Sequence, residues 1–348
     1  MNNSFSKRIQ NLFLLSILLS LFISSCSNGG SGDRSSQSIL FTSGGRTSEI
    51  LVVISDNLWE SALGDSIKAS FLNVPDWSAR LEPEYIVSQI PYKAFGSTYQ
   101  KQRNILFVKT ADISKPKVEL KNNRYAKPQT VIVIKAKDNM SLTNSFVKFK
   151  DQIKLAFHKN ELTRINNAYK GLEEKKIGAD LNKKFGFSVV VPKGFYIAMD
   201  RADFVWLRRK TRDIEEGIFI YTTPYGDTAS FNMANIIELR NSITKQFIPG
   251  PIDNSYMKVS EIFPPYSKQL DFKGHYAVQL RSLWDVKAYP MGGPFLSYTF
   301  VDNFASRLIT IDGYIKAPKK EKRDLMLHVE AILESFEYAE IPSDTLTK

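Results

Sequence analysis

Apolar and polar positions follow spacings that change along this chain, and each spacing predicts an element. Residues 49–55 (EILVVIS) form a nearly continuous apolar run, as in a strand buried on both faces. Trp59, Leu63, Ile67 and Phe71 fall four apart within residues 56–73, which predicts a helix with one apolar face. Residues 86–90, 104–109 (NILFVK) and 130–135 (TVIVIK) read as further strands. Phe146 to Phe157 and then Leu162 to Leu172 step by three and four, predicting a long amphipathic helix that Gly171 and Gly178 interrupt or end.

A second region opens at Phe187 with FSVVVPKGF, a strand followed by a Pro-Lys-Gly turn. Residues 203–209 (DFVWLRR) and 217–221 (GIFIY) read as neighbouring strands. Ser230 is placed to cap a helix through Phe247, with Met233, Ile236, Ile237, Ile243 and Phe247 inward and Pro249-Gly250-Pro251 as its stop. Residues 275–284, 294–301 and 307–316 predict three antiparallel strands, the last two joined at Asp302-Asn303. Residues 321–336 close as a helix with Leu325, Val329, Ile332 and Phe336 inward. Strands grouped with separate helices imply an α+β protein of two mixed sheet-and-helix units, residues 41–180 and 181–340, the second an α-β-α sandwich.

The N-terminus has a different pattern. Lys7 and Arg8 precede an apolar run over residues 12–23 that is broken only by Ser16 and Ser20. A bilayer-spanning helix needs about 20 apolar residues, so this run has the length of a signal-peptide core instead. Small residues, Ser24 and Ser25, then precede Cys26, the single cysteine of the chain. The arrangement resembles the lipobox of bacterial lipoproteins, which makes residues 1–25 a signal peptide and Cys26 the lipid-attachment residue. It accounts for a lone thiol that has no disulfide partner. Residues 26–40 continue in small and polar residues and are expected to act as a flexible tether. Ser27 after the cysteine favours the outer membrane. No dense acidic run follows, which favours its periplasmic face over the cell surface.

Removing residues 1–25 takes away Lys7 and Arg8 and no acid, leaving 323 residues with a net charge of +9. An envelope location argues against nucleic acid as the partner of this basic chain. Its partners are then the membrane, through the N-terminal lipid, and an envelope protein, glycan or lipid.

Several stretches together resemble a family of envelope lipoproteins known only as a domain of unknown function, family 4837. They are Gly45-Arg46 before EILVVI, RNILFV at 103–108, YAKPQ at 125–129, VPKG at 191–194 and DFVWLRR. PGP at 249–251, GHYAVQLRSLW at 274–284 and MGGPF at 291–295 continue the series. The resemblance implies a lipoprotein context and brings no catalytic residue. The second unit also looks loosely like the α-β-α sandwich of PsbP/Mog1-type proteins, an analogy of fold alone.

No local motif carries chemistry. His158, His275 and His328 fall on different elements with no zinc-binding spacing, and no cofactor is implied. Neither G-x-S-x-G nor S-x-x-K occurs. Residues 43–48 (SGGRTS) have the composition of a phosphate cradle but precede their strand, so the end of a tether docking onto the sheet is the better reading. In residues 274–284 the strand period puts His275, Gln279 and Arg281 on one face, with Trp284 nearby; Arg208 ends another strand. These five residues form a candidate ligand site, since guanidinium forks suit anions and aromatic rings suit sugars. The competing reading is a polar outer face with ion pairs to Glu215, Glu216 or Asp285. Met291-Gly292-Gly293-Pro294 is expected to turn into the next strand or to gate a pocket. The function that follows is a non-enzymatic, lipid-anchored binding or assembly module. The alternative is an envelope hydrolase with a site assembled between the two domains around His275.

Overall fold

The structure is a computed structural model that describes residues 40–75, 82–302 and 305–339. Cys26 and the segments on either side of it lie outside the described residues. The chain enters through β1 (Phe41–Thr42) and runs into β2 (Glu49–Val53), α1 (Asp56–Trp59), α2 (Ala62–Phe71), β3 (Ile86–Ile90) and α3 (Ser97–Gln100). β4 (Asn104–Thr110), β5 (Lys117–Asn122), β6 (Ala126–Lys127) and β7 (Thr130–Ala136) follow, and then the long helix α4 (Asn139–Lys170). The first sheet has the order β3-β2-β4-β7-β5, with every pair parallel except the antiparallel edge strand β5.

That parallel pairing explains the continuous apolar runs, because both faces are covered. Ile50, Val52, Leu106 and Ile132 meet α2 and α4 through Leu63, Ile67, Phe71, Phe146 and Phe157. The other face, with Leu51, Ile105 and Val131, meets no long helix among the described residues. Its cover is the aromatic loop residues Phe95 and Tyr125. The single helix expected over residues 56–73 is two. Ser61 caps α2 by accepting from the Leu63 amide, and Gly64 lies so close to the Trp59 carbonyl that a Cβ would stand 1.8 Å from its oxygen. Asp138 caps α4 by accepting from Ser141, and Gly171 ends it.

The second region begins with α5 (Lys175–Phe185), β8 (Phe187–Ser188), β9 (Tyr196–Arg201), β10 (Phe204–Lys210), β11 (Glu215–Pro224) and α6 (Met233–Phe247). It continues with β12 (Met257–Val259), β13 (Tyr266–Phe272), β14 (His275–Val286), β15 (Tyr289–Asp302) and β16 (Arg307–Lys316). α7 (Arg323–Glu334) and β17 (Glu337–Tyr338) complete it. Its eight-stranded antiparallel sheet runs β12-β14-β15-β16-β11-β10-β9, with β13 also pairing with β14. Ile220, Leu296, Phe300 and Ile311 pack beneath α7 through Val329, Ile332 and Leu333. On the opposite face Phe204, Phe219, Trp284 and Phe295 pack with Ile236 of α6. Helix, sheet and helix therefore form the expected α-β-α layers. The C-terminal half of α4 joins them, since Leu162 packs with Leu327 and Ala331 of α7.

Four local expectations fail for identifiable reasons. Gly178 lies inside α5, which ends at Gly186 in the left-handed region (φ 77°). The run FSVVV pairs only at Phe187–Ser188, with β17; Val189 and Val191 are buried without a strand partner. Asn232, not Ser230, caps α6 by accepting from Ala234, so Met233 is exposed at the first turn. Met291 to Pro294 form no turn and lie within β15, while the chain reverses at Lys287-Ala288, where Ala288 has φ 63°. A Cβ on Gly293 would meet the Ile315 carbonyl oxygen at 2.1 Å, so glycine serves close strand approach there.

Candidate functional site

β14 alternates as its sequence predicts, but both of its faces are roofed. Gln279 and Arg281 look toward α7. Val278, Leu280 and Trp284 look toward α6. Arg281 Nη2 donates to Glu330 Oε1 of α7 at 2.5 Å, and its Nε donates to Gln279 Oε1 at 3.2 Å. Gln279 Nε2 donates to the hydroxyl of Tyr298, its neighbour across β15, at 2.9 Å; that hydroxyl donates to Glu334 at 2.8 Å. His158 Nε2 of α4 lies 3.0 Å from the same Glu330 oxygen. The result is a polar chain between α4, α7 and the sheet, with its central carboxylate residue only 4% exposed.

The electrostatics follow from that geometry. Burial alone would raise the Glu330 carboxyl, but Arg281 and His158 outweigh it and hold it down at about 2. Burial would lower the His158 imidazole, yet the Glu330 carboxylate prevails and moves it upward. Arg281 thus answers to a carboxylate of its own chain, which is what a strand face covered by a helix demands.

The other residues proposed from sequence are dispersed. Trp284 stands on the opposite face from Arg281. Its indole Nε1 donates to the Ile315 carbonyl at 3.3 Å, and its ring meets Tyr314 edge-on at 5.5 Å. Arg208 makes a two-pronged contact with Glu215, at 3.2 Å through Nε and 2.8 Å through Nη2, and lies over the Trp206 ring. Residues 43–48 form no phosphate cradle. Arg103 donates to the Gly44 and Gly45 carbonyls and to Glu161, and Arg164 donates to Ser43 Oγ, so this stretch is held down by contacts within the chain. Among the described residues no group of three His, Cys, Asp or Glu side chains is arranged for a metal ion.

His275 lies apart from that polar chain, in a cleft of about 270 Å³ that it lines with Tyr225, Thr228, Phe231, Tyr276 and Val301. Three segments build it. Lys273 and Gly274, both at positive φ (57° and 85°), turn β13 into β14 and set His275 and Tyr276 at the strand start. The far end of β15 brings Val301. The connection after β11 brings Tyr225 and a short 3-10 turn, Thr228–Phe231, capped by Asp227, whose carboxylate accepts from Ala229. Phe231 meets Tyr276 edge-on at 4.9 Å, and Tyr225 lies 6.2 Å from Phe231. Tyr276 is 52% exposed. The buried Nδ1 of His275 has no hydrogen-bond partner. Among the described residues lining the cleft there is no carboxylate and no serine; the polar groups beside His275 are the hydroxyls of Tyr225, Thr228 and Tyr276. Tyr225, Thr228, Phe231 and Val301 carried no sequence signal, since only the fold brings them beside His275.

Residues 174–335 match a family described as Domain of unknown function (DUF4837), and residues 43–170 match a second, Domain of unknown function (DUF8532). The resemblance read from sequence thus holds over residues 174–335, while residues 43–170 match a separate description. No curated protein matches the chain. Among solved structures, the Ran-binding protein Mog1p of Saccharomyces cerevisiae is 10% identical with a TM-score of 0.29, covering 44% of this chain and 90% of its own. A point mutant of the protein Mog1 is 11% identical with a TM-score of 0.28, covering 44% and 91%. LpqN, described as involved in cell envelope biogenesis of Mycobacterium tuberculosis, is 14% identical with a TM-score of 0.28, covering 44% and 83%.

Proposed function

We propose that this chain is a lipid-anchored envelope protein that binds a ligand in the aromatic cleft and performs no catalysis. The observation that carries the reading is the cleft's make-up: the exposed ring of Tyr276 against the half-buried ring of Phe231, the hydroxyls of Tyr225 and Thr228, and His275 with no carboxylate among the lining residues. Such a lining suits a flat, weakly charged face, as on a sugar ring or an aromatic side chain. The cations first considered for ligand binding, Arg281 and Arg208, are held by Glu330 and Glu215 instead. The anchor rests on Lys7 and Arg8, the apolar run 12–23 and Cys26, and the outer membrane's periplasmic face on Ser27 and the absence of an acidic run after it. No helix among the described residues is long and apolar enough to cross a membrane. A photo-crosslinking phenylalanine analogue at Tyr276 tests the cleft in intact envelope. A discrete adduct that is absent when the analogue replaces Leu155 on α4 supports it; identical patterns at both positions refute it.

A further inference from the structure

The two faces of the first sheet differ in a way that the packing of the core does not require. One face is roofed by α2 and α4. On the other face Phe107 and Tyr125 have cations set over them, and at the rim the separate strand β1 brings Phe41 with a third. Lys109 Nζ lies 6.0 Å from the Phe107 ring centre, Arg124 lies 5.1 Å from Tyr125, and Lys101 Nζ lies 4.4 Å from Phe41. Tyr92 stacks on Phe107 at 5.6 Å and remains exposed, as do Tyr99 and Phe41, the last at 65%.

The strand register extends the pattern. Lys109 pairs with Lys135, and Lys135 with Lys117, so three lysines sit side by side across β4, β7 and β5. Lys121 shares their parity on β5. Against these stands Glu119, 3.1 Å from Lys121 and 3.9 Å from Lys135. Lys101 and Arg124 on loops at the rim, and Lys127 in the short strand β6, form no ion pair among the described residues. Like charges placed directly across strands destabilise a sheet, so a run of three calls for a compensating anion.

The rim is also where the chain enters the fold. β1 pairs in parallel with β6, Phe41 opposite Ala126 and Thr42 opposite Lys127. Thirteen residues separate Cys26 from Leu40, a stretch of at most about 50 Å when fully extended.

We propose that the aromatic and basic surface on the loop-covered side of the first sheet, the side that meets no long helix among the described residues, lies on the anionic headgroups of the membrane that holds the lipid anchor. Placing it next to the anchor rests on the anchored reading above; the affinity of the face for anionic lipid does not. Aromatic rings settle at the headgroup level, and each cation near an anionic surface adds about a fivefold gain in binding. The aromatic cleft belongs to the second sheet and is not part of this surface.

The experiment uses residues 26–348 with Cys26→Ser, which contains every described residue and accepts no lipid. It is sedimented with vesicles of phosphatidylcholine alone or with about 30% phosphatidylglycerol added. Binding is expected to the anionic vesicles only, and to fall at least about tenfold between 0.1 and 0.5 M salt. Lys101→Gln, Arg124→Gln and Lys127→Gln together should weaken it about 100-fold. A charge-matched control, Lys148→Gln, Lys150→Gln and Lys159→Gln on α4, should leave it within a few-fold. Absence of binding to anionic vesicles, or equal losses from both triple variants, overturns the proposal. No lipid is attached in this assay, so failure of the anchor is read separately, from labelling at Cys26.

Discussion

Replacing Arg281 with alanine removes the cation that the fold sets against Glu330. The side chain is largely buried, contacts Glu330 at 2.5 Å and supplies the donor to Gln279 Oε1. The size of the loss follows from the carboxylate it leaves behind. Holding Glu330 at about 2 rather than its ordinary 4.5 corresponds to about 3 kcal/mol in favour of the folded, ionised form, shared between Arg281 and His158. Breaking a buried pair by removing one partner costs about 3–5 kcal/mol. Arg281→Ala is therefore expected to lower unfolding stability by about 3 kcal/mol, read from urea denaturation at pH 7 with unchanged slope. Glu330→Gln alone should also destabilise. The double variant should lose clearly less than the two single losses combined, with a coupling of about 1–3 kcal/mol. A loss of about 0.5 kcal/mol or less for Arg281→Ala, as at an ordinary surface site, would refute the structural role and return this arginine to the candidates for ligand binding.

Cys26→Ala should abolish labelling by a palmitate analogue, because the chain has no other thiol; label that persists would disprove lipidation there. Glu330 is depressed in the fold, so its contribution is complete above about pH 4.5 and is lost as pH falls toward 2. Acid titrations of the wild type and Glu330→Gln should therefore diverge above that window and converge below it. Gly293→Ala should cost more than about 2 kcal/mol in denaturant unfolding, since its Cβ would stand 2.1 Å from the Ile315 oxygen; a neutral result would show that β15 can shift. The melting temperature of residues 26–348 should not respond to chelator or reductant, and a marked fall with EDTA would point to a metal site.

Much of the framework was legible along the chain. EILVVIS, NILFVK and TVIVIK became β2, β4 and β7, because a strand buried on both faces has no polar period to obscure it. The long apolar stripe became α4, and the alternation in GHYAVQLRSLW put Gln279 and Arg281 on one face of β14 and Val278 and Leu280 on the other; Trp284, grouped with the first set, has the parity of the second. What covers each face was not legible. Alternation tells which residues share a side of a strand; it does not tell whether water, a helix or another loop meets that side. Arg281 read as a cation available to a ligand because Glu330 lies 49 positions away in sequence, whereas for Arg208 the competing reading, an ion pair with Glu215, is the one the β10–β11 pairing brings about.

The same limit governs the cleft and the basic sheet face. Sequence alone determined the α+β class, the apolar segments of the core, and the unusual N-terminal run ending in the lone cysteine, since each depends on residues adjacent along the chain. Only the tertiary structure decided that His275 faces Tyr225, Thr228 and Phe231, and that Lys109, Lys135 and Lys117 line up across three strands. Local patterns fix period and face through backbone geometry within a few residues. The partner of a side chain is set by which distant segment the burial of apolar area brings against it, and that is a property of the whole fold.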